Sequence, residues 1–124
     1  MSQDIVADVL NQIMNTKKSG KKTLEVNRYS KLLLSVLAIA KLRGYVKSYR
    51  VEEKKLLIEI GNVHGCKAIK PRYTVSYNEI EKYVKRYLPA KNLGIIIVST
   101  SQGLVSHQTA LEKNTGGSLI AYFY

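Results

Sequence analysis

Four branched apolar residues in a row, Ile95 to Val98, run without a break into Ser99, Thr100 and Ser101 late in this chain. β-Branched side chains are stiff at χ1 and crowd a helix, yet they pack well on a pleated surface, so the run reads as a buried strand. An amphipathic stretch, "NEIEKYVKRY", precedes it, and a second apolar strand-like segment, "SLIAYFY", follows it. Helix and strand patterns interleave in this way along all 124 residues, which predicts the α+β class.

Earlier in the chain, Ile5, Val6, Val9, Leu10, Ile13 and Met14 recur at helical spacing. They predict a first helix over residues 3–15, capped by Ser2 or Asp4. "TKKSGKK", residues 16–22, then sets four lysines around a Ser-Gly turn. It reads equally as a solvated loop or as a phosphate-facing one. Leu24 and Val26 alternate with polar residues as a short strand, and Ser30 opens a strongly apolar helix stopped at Gly44. "YVKSYRVE" and "KLLIEIG" flank a charged turn, Glu52 to Lys55, as an antiparallel hairpin.

Periodicity weakens around "GNVHGCKAIKP", which marks a boundary. The expectation is two small subdomains. Residues 1–64 run helix-strand-helix-strand-strand, and residues 65–124 form a mixed strand and helix unit ending in a β-strand. In the second unit "RYTVSY" reads as a strand, Asn78 and Glu81 as a capping box, and Ser106 as the cap of a short helix reaching Lys113.

Charge narrows the function. Lys and Arg number 20 against 9 Asp and Glu, a net charge of +11. Such a surface favours a polyanion, because each phosphate met by Lys or Arg releases a condensed counterion. The blander reading is that the charge keeps the protein soluble. Cys66 is alone, so no intramolecular disulfide can form, and a reducing compartment is expected. No apolar span approaches the roughly 20 residues of a membrane helix. "MSQDIVADVL" opens acidic where a signal peptide would be basic. The expected location is the cytoplasm, with no membrane partner.

Catalytic patterns are thin. Gly103 follows Ser101 by two residues, as in a nucleophile elbow, but Ser99 stands where the elbow's first glycine belongs. His107 could serve as a base, yet the acids of residues 63–124 are Glu79, Glu81 and Glu112, with no Asp. A small serine hydrolase using Ser101 and His107 is therefore the remote alternative. A structural zinc site takes about four ligands, and the chain has one Cys and two His. No enzyme activity, metal, cofactor or small-molecule substrate is expected. Of the nine tyrosines, Tyr45, Tyr49, Tyr83 and Tyr122 fall where elements would bury them. Stacking on bases stays open for Tyr73, Tyr77 and Tyr87, although no clustered platform is visible in the sequence.

From Asn92 onward only Glu112 and Lys113 are charged, so the Ser-Thr-Ser stretch is neutral inside a basic protein. Hydroxyls and backbone amides can bond ribose 2′-hydroxyls and base edges of RNA. They can also do no more than satisfy strand-end backbone groups. On the first reading the lysines supply attraction and the hydroxyls discrimination. A generic basic RNA chaperone would lack the second part.

"LPAKNLGIIIVSTSQGLVSH" followed by "GGSLIAYFY" resembles the C-terminal signature of the universal small-subunit ribosomal protein eight family. "DIVADVLNQIMN" and "SKLLLSVLAIAKLRGYV" resemble that family's first two helices, and "KAIKPRYTV" and "KRYLPA" its archaeal and eukaryotic branch. The resemblance covers essentially the whole chain. It implies a two-domain α+β structural protein of the small ribosomal subunit, cytoplasmic within the ribosome. Such a protein binds a central-domain helix of small-subunit rRNA, supports its assembly and sits among neighbouring small-subunit ribosomal proteins. The family's RNA contacts map onto Ser99, Thr100, Ser101, Gly103, Gly116 and Gly117, with secondary contacts at Asn15 and Lys31. Charge beside the motif adds Lys70, Arg72 and Lys91. Ser118 stands where bacterial members usually place an acid, so a contact through that acid does not carry over.

Overall fold

Two side-chain caps start the helices of the first half. The Asp4 carboxylate accepts from the Ala7 N–H at 3.1 Å, and the Ser30 hydroxyl accepts from the Leu33 N–H at 3.2 Å. Each satisfies a donor that the first helical turn leaves orphaned. In a computed structural model that describes residues 4–70, 72–90 and 93–124, these caps open α1 (Ile5–Lys18) and α2 (Lys31–Leu42). α1 runs three residues beyond Asn15, its expected end, and takes in Lys17 and Lys18, whose charges suit the negative end of the helix dipole.

The chain divides into two compact units, Met1–Cys66 and Lys67–Tyr124. In the first, β1 (Thr23–Val26), β2 (Val46–Glu52) and β3 (Lys55–Ile60) form an antiparallel sheet in the order β1-β3-β2. Leu56, Ile58 and Ile60 alternate along β3 as its buried set, which joins Leu10 and Ile13 of α1 and Leu33 and Leu37 of α2 in the core. The β2–β3 turn is two residues, Glu53 and Lys54, at φ 51° and 67°. Cys66 is buried, and its thiol donates to the Leu10 carbonyl at 3.7 Å. Burial pushes that thiol up to about 12, against a smaller downward pull from Lys17.

The second unit carries a five-stranded sheet. β4 (Cys66–Ala68), β8 (Gly117–Phe123), β6 (Ile95–Thr100) and β7 (Gly103–Ser106) lie in that order, and β5 (Thr74–Val75) also pairs with β8. Ile95 to Val98 are all buried, so β6 is covered on both faces as the apolar run demands. α3 (Ile80–Tyr87) and α4 (His107–Glu112) cover the face that carries Ile96 and Val98. Ile80, Val84 and Leu88 pack with Ile96, Val98, Leu119 and Ala110 in one cluster. This is an α+β fold, closed by a β-strand.

Three local readings are corrected. "RYTVSY" yields only the two-residue β5, while β7 and β4 form where no strand was read. The capping box is Ser76 with Glu79 rather than Asn78 with Glu81, and it opens a single 3₁₀ turn, Tyr77–Glu79, ahead of α3. The Ser76 N–H and hydroxyl both donate to Glu79 Oε1, at 3.1 and 2.9 Å, and hold that carboxyl below its ordinary range. The tyrosines assigned to the core are only half-buried.

Candidate nucleic-acid interface

The Ser-Thr-Ser segment closes the β6–β7 hairpin. Ser99 pairs with Leu104 and Thr100 with Gly103, which leaves Ser101 and Gln102 at the exposed tip. The Thr100 hydroxyl donates to the Gly103 carbonyl at 2.9 Å and accepts from the Gln102 N–H at 3.1 Å. It is a positioning group that fixes the turn, as short hydroxyl side chains do. Gly103 sits at φ +113°, a conformation that side-chain-bearing residues rarely adopt. Ser101 is exposed at the tip, and among the described residues its hydroxyl carries no hydrogen bond.

β8 runs along the other edge of β6 and brings the glycine pair to the same place. Ser99 lies opposite Ser118, and Val75 of β5 lies opposite Gly117. A Cβ at Gly117 would overlap the Ser99 carbonyl, and one at Gly116 would overlap the Val75 carbonyl. Both glycines are therefore places where backbones pass too close for a side chain. Thr74 lies opposite Ser118, with their hydroxyl oxygens 3.3 Å apart. Directly opposed residues of antiparallel strands share a face, so Thr74, Ser118 and Ser99 form a row of hydroxyls across three strands.

The structure brings Ser99, Thr100, Ser101, Gly103, Gly116 and Gly117 together and sets beside them Thr74 and Ser118, which were not among the expected contacts. No local pattern marks those two, because only the register across β5, β8 and β6 aligns them. Lys70 and Arg72 are exposed just ahead of β5. Lys91 lies outside the described residues. Asn15 in the last turn of α1 and Lys31 at the start of α2 are exposed and belong to the first unit.

The same geometry answers the hydrolase alternative. His107 is buried, and its Nδ1 accepts the Ile96 N–H at 3.0 Å. It follows the far end of β7, about 13 Å from the turn by strand rise, so it is a core histidine and no partner for Ser101. Among the described residues no group of three His, Cys, Asp or Glu could hold a metal ion, and no helix is long and apolar enough to cross a membrane.

The edge thus presents hydroxyls and close-packed backbone, and its one nearby imidazole is locked in the core. Comparison with known proteins then gives the family. A family model described as Ribosomal protein S8 matches residues 4–124, and the chain belongs to that family. It is similar to the small ribosomal subunit protein uS8 of Nanoarchaeum equitans, 43% identical over the full length of both chains. The Archaeoglobus fulgidus protein of that name is 40% identical, again over both full lengths. The Methanococcoides burtonii protein is 39% identical over 98% of this chain and 97% of its own. The archaeal-type resemblance of the sequence holds.

Proposed function

We propose that this chain is a structural, non-enzymatic constituent of the small ribosomal subunit, cytoplasmic within the ribosome. It binds a central-domain helix of small-subunit rRNA directly and supports its assembly, beside neighbouring small-subunit proteins. Family membership supports the ribosomal part. The observation that carries the contact surface is the register of β6 with β8, which brings the Ser99–Ser101 turn and the Gly116–Gly117 pair onto one edge. Two segments far apart in sequence but adjacent in space then offer neutral donors, acceptors and bare backbone to one RNA groove. The basic residues elsewhere supply the long-range attraction.

The test measures binding of the purified protein to a short central-domain rRNA hairpin and to an unrelated duplex of equal length across a salt series. The hairpin should stay bound at salt that releases the duplex. Ser101→Ala should cost the hairpin about 1–3 kcal/mol, the scale of a good base contact, and leave the duplex curve in place. If both RNAs dissociate together for the wild type, the protein is a generic RNA chaperone and this reading fails.

A further inference from the structure

Five tyrosines of the second unit stand in an unbroken row. Ring centroids step 5.4 Å from Tyr73 to Tyr83, 6.4 Å on to Tyr87, 5.4 Å to Tyr122 and 6.1 Å to Tyr124. The last three steps are stacked, with interplanar angles of 13°, 23° and 1°. All five rings are half-buried and pack against the cluster built on Ile80, Val84 and Leu88.

Two exposed cations are laid on these rings. The Arg86 guanidinium lies 5.7 Å from the centroid of Tyr73 and 5.5 Å from that of Tyr87, and Lys82 Nζ lies 5.9 Å from that of Tyr83. Lys82 and Arg86 are four residues apart and so share a face of α3. Among the described residues neither forms a salt bridge, although Glu79 lies close enough to Lys82 to feel its charge. A guanidinium laid over two rings keeps its planar fork of donors ready at little further entropic cost.

We infer that this aromatic and cationic strip is a second RNA-contacting surface, separate from the Ser99–Ser101 turn, that seats the phosphodiester backbone of an unpaired strand. The inference rests on the RNA-binding reading above. A basic groove lined by aromatics is the general design of single-strand binders. Here the interior ring faces are occupied by neighbouring rings, so the strip offers ring edges and two pre-aimed cations. It therefore grips backbone without regard to base sequence. A phosphate takes the guanidinium fork in two parallel hydrogen bonds. Tyr73 packs on the core cluster with the rest of the row, while the adjoining Thr74 is exposed and belongs to the hydroxyl row.

The full-length protein would be titrated with a short labelled oligouridylate and, separately, with the blunt central-domain hairpin, each across a salt series. The double variant Lys82→Gln/Arg86→Gln, both changes being at exposed positions, should flatten the salt dependence of oligouridylate binding by about 1.4 log units per log unit of salt. Its preference for the hairpin over an equal-length duplex should survive. Arg86→Lys keeps the charge and loses the fork, so it should weaken oligouridylate binding at an unchanged salt slope. An unchanged slope in the double variant overturns the strip as an RNA surface. If the hairpin preference persists beside it, the Ser99–Ser101 reading stands; if the wild type shows no such preference, that reading falls on its own account. Displacement of the oligouridylate by polyglutamate as readily as by unlabelled oligouridylate would overturn the RNA assignment in favour of an acidic protein partner.

Discussion

Gly117 is the residue on which the candidate site depends most directly. Any side chain there meets the Ser99 carbonyl, a backbone atom that cannot swing aside. Gly117→Ala should therefore push β8 off β6 and cost typically 1–3 kcal/mol, the range for overpacking. Thermal melting should show the loss, and hairpin binding should fall with it. Ser101→Ala, at the exposed tip, should weaken hairpin binding at an unchanged melting temperature, which separates the reading group from the framework. Residue identities made half of this site legible. A Ser-Thr-Ser run after an apolar strand, and a glycine two residues on, are visible in one dimension. Thr74 and Ser118 are not, since nothing short-range aligns residues 44 apart. The division among the hydroxyls was hidden too, because Thr100 differs from Ser101 by what its oxygen meets.

At the scale of elements, helix starts were the most readable feature where one cap was available and the least readable where two competed. Asp4, Ser30 and Ser106 each open a helix as expected. Before α3 both Ser76…Glu79 and Asn78…Glu81 have capping-box spacing, and the extra 3₁₀ turn decides for the earlier pair. That choice has a pH signature. Glu79 titrates below its ordinary value near 4.5, first because the Ser76 N–H donates to it and next because the Ser76 hydroxyl does. A depressed carboxyl contributes stability that is present above its ordinary value and lost as pH falls through the folded one. Amide exchange over residues 76–80 should accordingly speed up as pH falls below about 4.5, beyond the intrinsic dependence. Glu79→Gln should show the faster exchange already at neutral pH and no further step. The tyrosine row escaped the sequence reading for a related reason: its members come from the approach to β5, from α3, from β8 and from the residue after it, and only packing sets them in line.

For the whole molecule, composition carried further than pattern. The interleaving of helical and alternating segments was enough for the α+β class, and the excess of 20 basic over 9 acidic residues was enough to point at a polyanion. Attraction spread over many lysines is forgiving, so single removals should have small, uniform effects. Lys21 is exposed in the turn after α1. Lys21→Gln should lower the salt slope of binding by less than about one unit on every RNA tested, hairpin and unrelated duplex alike. A loss confined to the hairpin would mean that this lysine reads shape.

The β2–β3 turn has a practical side. Glu53 and Lys54 hold left-handed backbone without being glycine, a conformation that costs roughly 1–2 kcal/mol per residue. Both are exposed, and they join strands already fixed in register through Glu52 and Lys55. A short Asn-Gly pair in their place would relieve the strain, and a longer flexible insert would close its loop at little entropic cost. The tip is thus the natural place to splice an affinity tag or a fluorophore, tens of residues along the chain from the hydroxyl edge whose binding it would report.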